Sequence, residues 1–161
     1  MDFLYQDPYP ILKDDTTYKK LTSDYVKVEQ LGDREILVVD PKGLELLAQE
    51  AMDDVSFMLR SAHLQKLRNI IEDPEATDND RFVAYNLLQN AAVAVEGQLP
   101  SCQDTGTAIV VAKKGENVYT GVEDGEWLSK GIYNTYQNKN LRYSQIVPIS
   151  KKKKKNSGSN L

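Results

Sequence analysis

Residues 25–41, YVKVEQLGDREILVVDP, hold two strand-like runs, a turn signal and a helix start with almost nothing between them. Val26 and Val28 alternate with Lys27 and Glu29, Gly32-Asp33 supplies the turn, and EILVV returns, the pattern of a β-hairpin. Asp40 then stands where an N-cap accepts from the first free amides, and Pro41 occupies the first helical position, where its missing N–H costs nothing. Summed with the helices and strands that follow, this start makes an α+β domain.

The helix after Pro41 carries Leu44, Leu47, Ala48, Ala51, Val55, Met58 and Leu59 at helical spacing, so it is predicted over about 41–60. SAHLQKLRNIIED reads as a second helix with Leu64, Leu67, Ile70 and Ile71 on one face, broken at Asp73-Pro74. Thr77 or Asp78 caps a third helix bearing Phe82, Val83, Leu87, Leu88, Ala91 and Val95, closed by Gly97. TAIVVAK, residues 107–113, has the branched, nearly continuous hydrophobicity of a buried strand, and VYTG reads as its return across a turn at Lys114–Asn117. A helix over about 124–137 turns Trp127, Leu128, Ile132 and Tyr136 inward, and NLRYSQIVP is a loop or short strand.

The expected organisation is an extended arm over 1–20, one domain over 21–150 and a disordered tail over 151–161. The tail reading rests on KKKKK followed by NSGSNL, which has too little apolar surface to offset the entropy of ordering. A chain of 161 residues is long enough for one domain and buries roughly 70% of its unfolded surface without a disulfide.

Charge excludes some partners. Five positive charges are gathered in Lys151–Lys155, and without them the formal charge falls from −4 to −9. So acidic a body is a poor general ligand for nucleic acid, whose affinity comes mostly from phosphate neutralisation. The lysine run is a solvated tail, with a nuclear-targeting or anionic-surface role as the alternative. The first residues, MDFLYQDPYPILKDD, lack a basic segment followed by a long apolar one, and no apolar run approaches a membrane span. A cytoplasmic protein with neither nucleic acid nor membrane as partner is expected.

Chemistry centres on LPSCQDTGTA, residues 99–108, which contains the chain's single cysteine. Cys102 is compatible with three roles. It is a small buried hydrophobe, or a weak nucleophile hindered by Asp104 and served by no histidine other than His63, or one ligand of a metal group completed elsewhere. A structural zinc site is excluded by ligand count. His63 reads as a packing or capping residue.

LPSCQDTGTA resembles the cysteine motif of class I fumarases, the iron–sulfur hydro-lyases whose α-type region is shared with tartrate dehydratases. SFMLRSAHLQKLRNIIEDPEATDNDRFVAYNLLQNA before it, KKGENVYTG after it and GIYNTYQNKNLRYSQ further on are similar to the same family in the same order, covering most of residues 5–150. The resemblance implies a fumarate hydratase N-terminal part, acting between fumarate and malate, with a [4Fe–4S] cluster held by three cysteines. It makes Cys102 one cluster ligand. It places Gln103 and Asp104 against substrate, Asp104 serving as a catalytic acid–base group, and gives Arg142 the grip on a substrate carboxylate. Asp104 as a turn cap and Arg142 as a surface ion pair are the plain alternatives, while Thr105, Gly106 and Thr107 build the turn.

One cysteine cannot supply three ligands, so the resemblance also implies a missing partner: the remainder of the enzyme or a complementary subunit, with a homodimer as the complete form. A shortened chain, one piece of a split enzyme and a retained domain without catalysis all stay open. So do a non-catalytic interaction protein keeping the fold and a tartrate dehydratase α-type subunit.

Overall fold

The computed structural model describes residues 3–7, 10, 17–101, 107–142, 146–150 and 153–156. Strands β1 (Val26–Leu31) and β2 (Arg34–Val39) pair antiparallel with Leu31 opposite Arg34, leaving Gly32-Asp33 as the whole loop. Gly32 has φ +60°, the left-handed value that the first loop position of a type II′ turn demands. Ile36–Val39 of β2 are half-buried, whereas every residue of β1 is exposed, so β1 is a solvent-facing edge.

Helix α1 (Pro41–Phe57) begins as its sequence dictates, Asp40 Oδ1 accepting from the Lys42 N–H at 2.8 Å. It ends three residues before the expected boundary. Met58 is extended, although its N–H still donates to the Asp54 carbonyl. The chain then enters α2 (Ser61–Glu72) and α3 (Asp78–Ala94), which pack on each other. A capping box starts α3: Thr77 Oγ1 accepts from the Asp80 N–H at 3.2 Å, and Asp80 Oδ2 accepts from the Thr77 N–H at 2.9 Å. Gly97, with φ +76°, follows its end. The covered stripe of this pair runs through Leu67, Ala84 and Ala94, while Phe82 is left exposed; among the described elements α3 packs chiefly on α2.

Strand β3 (Val118–Tyr119) joins β2 in parallel, extending the order to β1-β2-β3. Its register sets Leu37 opposite Val118, and the Leu37 N–H donates to the Asn117 carbonyl at 2.8 Å. The sheet element after the cysteine motif therefore belongs to the N-terminal hairpin. Residues 107–113 correct the buried-strand expectation. They form no strand, and Ile109 and Val111 are 81% and 67% exposed. A buried strand needs pairing on its edges and cover on its faces, and β3 is only two residues long.

Helix α4 (Asp124–Asn138) packs along α1. Ile132 is buried as expected, but Trp127, Leu128 and Tyr136 are only half-buried, and the fully covered positions are Ser129, Gly131, Ile132 and Thr135. Small residues win this face because the two backbones approach closely. Thr135 Oγ1 donates to the Gln49 carbonyl at 3.2 Å and Asn134 Nδ2 to Glu45 Oε1 at 2.8 Å, with Lys130 2.8 Å from Glu45 Oε2. Residues 146–156, which include part of the stretch expected to lack order, contain β4 (Ile146–Ser150) and β5 (Lys153–Asn156) in antiparallel pairing. Ladder hydrogen bonds are made by backbone groups, which a lysine run carries like any other non-proline segment. Among the described residues no helix is long and apolar enough to cross a membrane.

Candidate functional site

Cys102, Gln103 and Asp104 lie outside the described residues, as do Thr105 and Gly106. The structure describes the residues that flank them and Arg142. The flanks converge on the last turn of α1. A helix end leaves its final carbonyls without intrahelical donors. One of these, Ser56 O, accepts from the Ser101 N–H at 2.8 Å and from Ser101 Oγ at 2.9 Å. Ser56 is itself buried, and its hydroxyl donates back to the Met52 carbonyl at 2.7 Å. Thus the residue immediately before Cys102 is fixed to α1 through both its backbone and its side chain.

The segment that leads to Arg142 meets the same turn through Lys139. α4 closes with Lys139 as its cap and Asn140 at φ +52°, a left-handed position asparagine tolerates better than most residues. Leu141, buried to 2% exposure, pins the chain one residue before Arg142, and its N–H donates to the Tyr136 carbonyl at 3.0 Å. Lys139 Nζ stands 3.2 Å from Asp53 Oδ1 and 5.3 Å from the centre of the Phe57 ring. The Asp53 contact is close enough for an ion pair but off the hydrogen-bond line, since among the described residues the same buried Oδ1 has no hydrogen-bond partner. Asp53, Ser56 and Phe57 are one turn of helix, so the segments leading to Cys102 and to Arg142 share a single support. Arg142 itself is exposed.

A second polar cluster stands where the run after the motif meets α4. Lys114 Nζ donates to Thr120 Oγ1 at 2.9 Å and to Asp124 Oδ2 at 2.7 Å, and the Thr120 hydroxyl donates to Asp124 Oδ1. These bonds favour the carboxylate, Lys114 most and Thr120 next, and hold Asp124 below its ordinary range against the opposing effect of burial. The cluster borders an apolar groove of about 900 Å³ between α1 and residues 108–115. His63 is exposed on the first turn of α2, which corrects the packing reading.

For cofactor chemistry the donor set decides. Among the described residues no three His, Cys, Asp or Glu side chains gather to hold a metal, and Cys102 is the chain's one thiol. A cluster bound by three thiolates would find one ligand in this sequence, and its other ligands would lie outside it. Sequence reasoning singled out Cys102 and Arg142 and passed over Ser56, Ser101, Asp53 and Lys139. Their partners lie 45 and 86 positions away along the chain, and no local pattern marks them.

Residues 45–161 match the family model described as Fumarate hydratase (Fumerase). The chain is 54% identical over 159 residues to "Fumarate hydratase class I, anaerobic" of Escherichia coli (strain K12), covering 99% of this chain and 29% of that protein. It is 52% identical over 159 residues to "Fumarate hydratase class I, aerobic" of the same strain, again 99% of this chain and 29% of that protein. It is 51% identical over 149 residues to "Fumarate hydratase 1, mitochondrial" of Leishmania major, covering 91% of this chain and 27% of that protein. The chain therefore spans less than a third of the length of these relatives.

Proposed function

Since the chain belongs to the fumarate hydratase family, with class I members among its relatives, we propose that it is the N-terminal part of a hydro-lyase that adds water reversibly across the double bond of fumarate to give malate. The observation that carries this reading is identity of 52–54% over 99% of the chain, a span that includes Cys102, Gln103, Asp104 and Arg142.

Each residue has a role suited to its chemistry. Cys102, as a thiolate, holds one corner of a [4Fe–4S] cluster whose other thiolates come from the rest of the enzyme. When bound, that cluster supplies Lewis-acid polarisation of a substrate oxygen. Asp104 holds or releases the proton of the water or hydroxyl, and Gln103 offers an amide to the substrate beside it. Arg142 grips one substrate carboxylate, for which a planar guanidinium with paired donors is the best geometric match. Support comes from the shared turn of α1, which anchors Ser101 before the cysteine and Lys139 before the arginine, keeping both segments on one rigid element. The base that acts at carbon lies in the remainder of the enzyme, the complete form is a homodimer, and its location is cytoplasmic.

The test is anaerobic co-expression of this chain with the portion of the E. coli class I anaerobic enzyme that lies beyond the matched stretch. Iron is counted and hydration is followed by the loss of fumarate's ultraviolet absorbance. Iron and activity that appear together and are both lost in Cys102→Ser support the reading. An iron-free, inactive assembly leaves a non-catalytic interaction protein, and activity on tartrate alone reassigns the substrate.

A further inference from the structure

The groove between α1 and residues 108–115 is completed by Val39, Val118, Leu128 and Ile132, yet much of its apolar lining is left uncovered. On α1, Leu44, Leu47, Ala51 and Val55 recur at helical spacing and all line it, yet Leu47 and Val55 are 52% and 61% exposed. Opposite them, Ala108, Ile109, Val110 and Ala112 also line the groove, with Ile109 and Val110 81% and 54% exposed. Among the described residues, none of the backbone hydrogen bonds involves Thr107–Ala112. Branched apolar side chains and unpaired backbone groups in one run are what a strand presents before it acquires a neighbour. A contiguous apolar trough of this size on a soluble domain marks a surface built to be covered.

We propose that this trough is the seam on which the remainder of a class I fumarate hydratase packs, through an apolar strand laid along residues 107–113 and seated against the α1 stripe. The inference rests on the proposed function and names its partner surface. Two observations select this occupant. The chain spans 29% of each E. coli relative, so in those proteins more than twice as much polypeptide again is present to cover the trough. The run that lines the trough also begins, in sequence, six residues after Cys102, the proposed cluster ligand. A second copy of this chain would bring one further thiol and leave a three-thiolate set short.

The probe is the portion of the E. coli class I anaerobic enzyme beyond the matched stretch, purified separately and titrated with this chain. Hydrogen exchange of the unsubstituted proteins is expected to slow across 107–113 and along the exposed face of α1 on mixing. Ile109→Glu, at an exposed position that the free chain tolerates, is expected to weaken binding at least tenfold, because a carboxylate is then buried in an apolar seam. Phe82→Glu, at a 66% exposed site on α3, is expected to stay within twofold of the unsubstituted chain. The proposal is overturned by no binding, by binding without protection at 107–113, by equal weakening in the two variants, or by a dimer of this chain alone that Ile109→Glu dissolves. Binding with protection but no hydration keeps the seam and overturns the catalytic reading. Hydration restored without protection at 107–113 does the reverse.

Discussion

Gly131 of α4 lies so close to Glu45 of α1 that a Cβ at that position would stand 2.3 Å from the Glu45 carbonyl oxygen, and 2.7 Å from Ala48 Cβ. The nearest obstacle is backbone, which cannot rotate away. Gly131→Ala therefore forces the two helices apart and is expected to destabilise the fold by about 1–3 kcal/mol. For a chain of this size that lowers Tm by about 2–4 °C per kcal/mol, which a thermal melt resolves. Gly125→Ala, on the same helix with its nearest contact at 3.5 Å, serves as the comparison. It is expected to leave stability unchanged or raise it by about 0.5 kcal/mol through helix propensity.

The capping box of α3 makes a second prediction. Thr77→Ala removes the hydroxyl that accepts from the Asp80 N–H and is expected to cost about 1 kcal/mol in chemical denaturation. The same hydroxyl also donates to Asp80 Oδ2 at 2.7 Å, and this bond, with that from the Thr77 N–H, holds the Asp80 carboxyl below its ordinary value. Carboxyl-carbon NMR titration should find the Asp80 pKa raised in Thr77→Ala. An unchanged titration would contradict the hydrogen-bond assignment.

Asp124 predicts an acid-side change in stability. Lys114 and then Thr120 lower its folded pKa by hydrogen bonding. A carboxyl depressed on folding contributes stability that is complete above its unfolded value, about 3.9, and is lost as pH falls through the lower folded value. Stability at the start of α4 should therefore decline below about pH 4. Asp124→Asn should be less stable than the parent at neutral pH and should flatten this part of the profile, as urea midpoints across pH 2–6 would register.

Catalytic variants separate the proposed roles in the reconstituted enzyme. Asp104→Asn is expected to lower kcat by about 10²–10⁴-fold with iron content unchanged, the signature of lost proton transfer. Arg142→Lys retains charge but loses the paired donors and should act mainly on KM, raising it at least tenfold. Parallel loss of iron in either variant would instead indicate damage to the cluster site.

The sequence by itself determined what is settled within a few residues. The Gly32-Asp33 turn, the Asp40-Pro41 start of α1, the Thr77 cap and the helix breaks at Asp73-Pro74 and Gly97 all depend on hydrogen bonds and dihedral limits internal to each segment. Cys102 and Arg142 were singled out through resemblance alone, because a motif needs no coordinates. Tertiary structure alone decided which apolar runs acquire partners. The run 107–113 has the composition of a buried strand, but pairing requires a second segment, and among the described residues after the motif it is Val118–Tyr119 that pairs with β2. The inner face of α4 likewise reads from periodicity as Trp127, Leu128 and Tyr136. The approach of α1 instead places Gly131 and Thr135 at the contact, since close-packed backbones admit only small side chains. Ser101 on Ser56 and Lys139 on Asp53 follow the same rule. Each contact belongs to two segments far apart in sequence, and its energy exists only once both are in place.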